Sequence, residues 1–355
     1  MTDRTSNVRS RGAADDEKAA AERAAPKRLT LEQVARQAGV STATVARVIH
    51  NKGYVSDETR ERVRAILNET GYRPNAMARG LRQQRSATLG HMLVELTANP
   101  FNAYVARSVE TAAIAAGYKS FVFSHNHSRR LERNGVERFI ERRVDAMLLS
   151  NPVDAENVEL LQSAGIPIVQ IERECTGDTH SVLVDSAIGV RQAMRHLIEL
   201  GHRRIAFIGG DPELYPNTTR PQSIEEQRLD AYTEALRGAG IQVDPDLIRL
   251  GVYLQFDDQT RGLEGVFHTE ALLGLRNRPT AILAGCDVLS VGVLQSLYGA
   301  GLRVPDDISV VSVDDTLAMS LAPQLTVVAQ PMEAIGREAV RLALAAVEDP
   351  DIEPT

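Results

Sequence analysis

At 355 residues and 43% hydrophobic content, the chain exceeds one ordinary domain and can bury two or three cores. No apolar run approaches the roughly 18–20 residues of a membrane span, no apolar segment follows the N-terminal basic residues, and two distant cysteines, Cys175 and Cys286, make no disulfide framework, so a reduced cytoplasmic protein with no membrane partner is expected. The net charge of −7 is unevenly held: residues 27–86 carry twelve Lys/Arg against five Asp/Glu, residues 1–26 balance, and the remainder therefore holds −14, the pattern of a small module that meets a polyanion on a large acidic body.

Residues 1–26, rich in Ala, Arg, Asp, Glu and Ser without an apolar period, read as a disordered tail. Thr30-Leu-Glu-Gln33 is a capping box ahead of Val34, Ala35 and Ala38, which predicts a helix over 31–38 ended by Gly39. Ser41 caps a second helix, 42 to about 50, with Val45, Val48 and Ile49 inward; a third begins behind Ser56 with Val63, Ile66 and Leu67 as its stripe. Residues 27–72 are thus expected to form a small all-α helix-turn-helix domain. In that geometry Thr42 and Ala43 face base edges and Arg47 follows one turn later, arginine being the usual bidentate donor to guanine. Thr30, Ser41, Thr44 and Tyr54 offer hydroxyls and cap amides to phosphates, which position without specifying. A three-helix protein-binding module fits the same pattern, and the basic balance favours DNA over it.

Pro74 cannot continue a preceding helix and Asn75 can cap the next, so residues 76–82 predict about two turns of helix, too short to hold alone in water. Gly80 weakens it by roughly 1 kcal/mol relative to alanine. Leu81 stands among Arg79, Arg82 and Arg85 with only Met77 as apolar company at helical spacing. The stretch is either a polar linker or a helix that forms when something anionic and apolar receives it.

From Ala87 the texture alternates. Strands are expected at 89–96, 119–124, 145–150, 167–171, 204–209, 248–253, 280–284 and 308–313. Helices are expected at 105–116, 131–142, 154–164, 188–200, 225–238, 260–275, 288–300 and 332–347. Regular alternation of this kind makes parallel, doubly wound sheets, and about nine strands suit two lobes better than one sheet. The expected fold of 86–355 is therefore an α/β bilobed domain with a ligand between the lobes, outside the carboxyl ends of the strands.

The run from Leu31-Glu-Gln-Val-Ala-Arg-Gln-Ala-Gly-Val40 through Ser41-Thr-Ala-Thr-Val-Ala-Arg-Val48, then Val55-Ser-Asp-Glu-Thr-Arg-Glu-Arg-Val63, then Gly71-Tyr-Arg-Pro-Asn-Ala-Met-Ala-Arg-Gly-Leu81 resembles the lactose/galactose repressor (LacI/GalR) family. Val184-Asp-Ser-Ala-Ile-Gly189, Leu200-Gly-His-Arg-Arg-Ile-Ala-Phe-Ile-Gly209, Arg228-Leu-Asp-Ala-Tyr232 and Gly301-Leu-Arg-Val-Pro-Asp-Asp-Ile-Ser-Val-Val311 resemble its effector domain, which is similar to the bilobed periplasmic sugar-binding proteins. The resemblance implies a repressor that binds a pseudo-palindromic double-stranded operator as a homodimer. It implies a hinge helix over 73–85, with Asn75 at its start and Leu81 wedged into the minor groove. It implies lobe one at 86–185 and 330–348, lobe two at 186–329, and a small-molecule effector (a sugar, sugar acid or polyol) held by Phe101, Glu172, Arg228, Cys286, Asp287 and Asp314.

The chain departs from the family at Cys286, where Asn is usual, at Glu172 for Asp, at Asn102 where a second aromatic is common, and at Ser312 for Gly. A long segment 253–259 leaves open whether Tyr253 or Phe256 reaches the cleft. The end at Thr355 precedes the family's returning strand, so a lobe-two sheet short of one strand and no tetramer are expected. His125-Asn-His127 lacks further ligands and reads as a loop pair, not a metal site; Gly209-Gly210 is no phosphate loop. With no G-x-x-x-x-G-K-[ST], G-x-S-x-G or H-E-x-x-H, neither an enzyme nor a cofactor is expected. A solute-binding protein for a sugar transporter is the competing reading of the α/β half alone.

Overall fold

The computed structural model describes residues 29–72, 85–97, 99–214, 222–253, 263–317 and 320–355. The predicted tail and residues 73–84 of the predicted hinge, with Asn75 and Leu81, lie outside these, as does Phe256. The chain divides into two compact units at Arg82–Gln83.

Among the described residues the first unit holds three helices, α1 (Leu31–Ala38), α2 (Thr42–His50) and α3 (Asp57–Thr70). Thr30 accepts the Gln33 amide while the Gln33 side chain accepts the Thr30 amide at 2.8 Å, so the capping box satisfies two amides that helix geometry leaves orphaned. Gly39 ends α1 at φ 64°, where a Cβ would be strained. Val34, Val45 and Val63, one from each helix, are wholly buried and form the centre of the core. Ile49, Ile66 and Leu67 pack partly buried around them.

The second unit contains two five-stranded parallel sheets. Sheet one has the order β2-β1-β3-β4-β5, with β1 (Thr88–Leu93), β2 (Lys119–Ser124), β3 (Ala146–Ser150), β4 (Ile168–Ile171) and β5 (His180–Val182). Sheet two has the order β10-β9-β8-β6-β7, with β6 (Ile205–Gly210), β7 (Ile248–Gly251), β8 (Ala281–Ala284), β9 (Ser309–Val313) and β10 (Thr326–Val328). The central strands β1, β3, β6 and β8 are buried throughout because helices cover both faces. Around sheet one lie α4 (Pro100–Ala115), α5 (Arg129–Glu141), α6 (Ala155–Ser163) and the returning α11 (Met332–Glu348). Around sheet two lie α7 (Ser186–Glu199), α8 (Ile224–Gly238), α9 (Leu263–Leu273) and α10 (Asp287–Gly299). Each sheet thus separates two apolar clusters, which α4 with α11 and α5 with α6 close in lobe one, and α7 with α8 and α9 with α10 close in lobe two.

Two expectations change. The sheets hold ten strands among the described residues, the unforeseen ones being β5 and β10. Both are three-residue edge strands, too short to show a period and formed because a parallel neighbour already offers its backbone. Helix α4 starts at Pro100 rather than Val105, since the Asn99 side chain caps the Phe101 amide at 3.0 Å and proline at N1 loses no hydrogen bond. Phe101 therefore sits in the first helical turn.

Candidate functional site

On the three-helix unit, most of the sequence-predicted contact residues are exposed, at the caps of α1 and α2, along α2 and in the loop after it. Thr42, Ala43 and Arg47 are exposed, Thr44 is half-buried, and Tyr54 is 91% exposed. Ser41 caps α2: its hydroxyl accepts the Thr44 amide at 3.1 Å and bonds the Thr44 hydroxyl at 2.9 Å. An α-helix with its first turn bare and an arginine one turn on is the arrangement that reads a major groove. The Arg47 side chain passes Gly53, whose φ of +72° favours glycine.

The second site is the cleft of the α/β unit, a cavity of about 90 Å³. Nearly every polar group in its wall follows the carboxyl end of a strand or starts the next helix. Lobe one supplies Asn99, Phe101 and Asn102 from the start of α4, His127 after β2, Asn151 after β3, and Glu172 and Arg173 after β4. Lobe two supplies Glu225 and Arg228 from the first turns of α8, Tyr253 after β7, Cys286 after β8 and Asp314 after β9. Gln330 stands where the chain crosses back to lobe one. Four of these residues, His127, Asn151, Glu172 and Asp314, hold φ between 52° and 71°. Asn and Asp tolerate that region; His and Glu adopt it at a conformational cost, a pattern that concentrates at ligand sites.

Arg228 is the centre of the cleft's electrostatics. Its Nη1 donates to the Tyr253 hydroxyl at 3.2 Å and to the Gly285 carbonyl at 2.9 Å, and its guanidinium lies 5.9 Å from the Tyr253 ring centroid. Among the described residues its Nε has no hydrogen-bond partner. Burial opposes its charge, yet Tyr253, Asp314 and Glu225 hold its pKa above the ordinary arginine value. Glycines make the tyrosine's slot: a Cβ on Gly210 would lie 2.6 Å from the Tyr253 ring. Burial raises the Tyr253 hydroxyl's pKa too.

The carboxylates are poised near neutrality. Burial pushes Glu172 up to about 7, although Asn151 donates to it at 2.5 Å. Burial likewise pushes Asp314 up to about 6 against the pull of Arg228 and a bond from the Gln330 amide. Burial keeps His127 neutral, lowering it to about 4, and holds the Cys286 thiol protonated by raising its pKa. A guanidinium, two carboxyls, several amides and an aromatic face can together hold a small molecule rich in hydroxyls or N–H groups.

Of the six residues expected there, Phe101, Glu172, Arg228, Cys286 and Asp314 line the cleft, and Asp287 does not. Asp287 is wholly buried, and its Oδ2 accepts the Thr316 hydroxyl and, at 2.8 Å, the Leu317 amide. Its first-turn place on α10 directs one carboxylate oxygen to the 315–317 turn, which it braces. Tyr253 reaches the cleft. Asn151, Arg173, Glu225 and Gln330 are not legible in the sequence; three lie in loops and Glu225 in the first turn of α8, far apart in the chain, and only strand order unites them. His125 and His127 meet edge to face at 6.1 Å, and no group of three metal-ligating side chains occurs among the described residues. Nor, among the described residues, is any helix long and apolar enough to cross a membrane.

Comparison with known proteins finds matches over both units. The model of bacterial regulatory proteins of the lacI family matches residues 30–75, and that of the periplasmic binding protein-like domain matches residues 194–355. Catabolite control protein A of Priestia megaterium is 34% identical over 88% of this chain and 91% of its own length. The ribose operon repressor of Escherichia coli K12 is 33% identical over 91% and 94%. The lac repressor dimer bound to operator and an anti-inducer superposes with a TM-score of 0.77 at 27% identity, covering 92% of this chain and 95% of that one. A cellobiose complex of the transcriptional regulator CelR superposes with a TM-score of 0.66 at 32% identity, covering 92% and 96%. These relatives are transcriptional regulators, not enzymes, and the chain belongs with them to the lacI family of bacterial regulatory proteins.

Proposed function

We propose that this DNA-binding regulator is a repressor that binds a pseudo-palindromic operator as a homodimer and is controlled by a sugar, sugar acid or polyol in the interlobe cleft. The observation that carries the reading is the convergence of Arg228, Asp314, Glu172 and Phe101, from both lobes, on one buried cleft in a chain that also bears an exposed α2. Arg47, Thr42 and Ala43 read bases; Thr30, Ser41, Thr44 and Tyr54 hold phosphates; Asn75 and Leu81 belong to a hinge helix whose leucine unstacks a central base step. The cellobiose held by CelR supports a carbohydrate ligand, and the operator held by the lac repressor supports the dimeric arrangement.

A thermal-shift screen of the full chain against neutral sugars, sugar acids, polyols and purine nucleosides tests the effector. A ligand at a hundredfold excess over its Kd adds about 2.7 kcal/mol and raises Tm by several degrees. The raised Tm should vanish in Arg228→Ala. A shift from purines alone, or one that survives Arg228→Ala, would overturn the assignment.

A further inference from the structure

The two lobes touch across the cleft through a buried ion pair. Arg173 follows β4 of lobe one, and Glu225 lies in the first turn of α8 in lobe two. Arg173 Nη2 donates to Glu225 Oε1 at 2.5 Å, with the side chains 18% and 1% exposed. Both residues line the cavity, so the pair spans the space a ligand would occupy or pass. At this depth the attraction is poorly screened, and either charge left alone would carry a desolvation penalty that nothing repays. Glu225 is further favoured by the positive end of α8, which fixes the lobe-two half of the contact. Its second oxygen, Oε2, is buried with no partner among the described residues, so a donor on a ligand can bond Glu225 while Oε1 keeps Arg173.

We propose that Arg173–Glu225 is a latch: it holds the cleft shut in the ligand-free protein, breaks to admit the effector, and re-forms over it. Only the last two steps rest on the cleft's being an effector site; the first concerns the protein alone. The latch makes the closed arrangement the resting one, so a ligand stabilises a state already populated and does not create it. Among the described residues that line the cleft, it also occupies one of two arginines, leaving Arg228 as the cation a ligand meets.

Hydrogen–deuterium exchange on the full chain, without DNA or ligand, tests it. Arg173→Gln, Glu225→Gln and the double variant should each speed exchange by about tenfold in peptides covering 99–106 and 224–231, as expected when a buried charge pair is lost. The double variant should exchange no faster than either single variant, because each single change strands a buried charge that the double removes, yet it should stay faster than the unaltered chain. Peptides from α1 to α3 should exchange as in the unaltered chain. Wild-type exchange in the double variant would show that only a stranded charge mattered, and additive effects of the two single changes would show that the residues act separately; either overturns the latch. Failure of the effector reading would appear only in ligand and DNA binding, so the two can be told apart.

Discussion

Replacing Asp314 with asparagine should stabilise the protein, and should do so more at pH 8 than at pH 5. The carboxyl titrates at about 6 in the fold against an ordinary 3.8, chiefly because it is buried. The folded state therefore holds a proton that the unfolded chain has released, and stability present below pH 4 is lost as pH rises through 6. A shift of roughly two units is worth about 3 kcal/mol once the group is ionised in both states, of which roughly half has already been lost at pH 5. Asp314→Asn removes this titration, so its gain should grow by about 1–2 kcal/mol between pH 5 and pH 8. The backbone permits the exchange, since φ at 314 is 71° and asparagine is among the residues that accept it.

Urea unfolding of both proteins at the two pH values supplies the four free energies. The difference between proteins is the quantity to read, because the buried His91 and His125 and the more exposed His127, each lowered to about 4 chiefly by desolvation, push the other way. Their unfolded forms protonate first, so they cost stability as pH falls below 6.5 and leave the unaltered chain's own profile mixed. A difference that is flat across pH, or larger at pH 5, would refute the reasoning and place the Asp314 carboxyl in an ordinary solvated state.

Three further outcomes are expected. Val45→Ala removes two methyl groups from the wholly buried centre of the helical unit and should cost about 2 kcal/mol, seen as faster exchange in α1–α3 and proportionally weaker DNA binding. Gly210→Ala puts a Cβ 2.6 Å from the Tyr253 ring and 2.7 Å from Glu225, so it should destabilise the second unit by about 1–3 kcal/mol in urea unfolding and weaken ligand binding through the displaced ring. Leu81→Ala should lower operator affinity tenfold or more, on the order of 1.4 kcal/mol, with non-specific binding nearly unchanged. Equal losses on both DNAs, measured by gel shift, would make residues 73–84 a plain linker.

Local chemistry was the most legible part of the sequence. The capping box of Thr30 and Gln33, the stop at Gly39 and the cap at Ser41 define α1 and α2 because each acts within four residues. The α/β alternation was equally plain, since buried central strands and amphipathic helices write their periods into the chain. What depends on distant partners was not. The edge strands β5 and β10 have three residues each and exist through the neighbour they pair with. Arg173 and Glu225 look like ordinary surface charges until strand order brings β4 and α8 to one cleft. Asp287 differs for the opposite reason: its residue type suits a ligand, while its place on α10 turns its carboxylate to Thr316 and Leu317, outside the residues that line the cleft.

Coupling of a sequence-specific DNA contact to an occupied cleft within one chain can be read by fluorescence anisotropy of the full chain. The DNA is a pseudo-palindromic site selected from a random library, with a scrambled control, titrated from 50 to 200 mM salt with and without the ligand found by thermal shift. The account predicts one dimer per site, affinity on the order of a thousandfold or more above the control, a steep loss with salt, and a ligand-dependent change of about fivefold or more. Equal affinity for both DNAs, unmoved by the ligand, would contradict it.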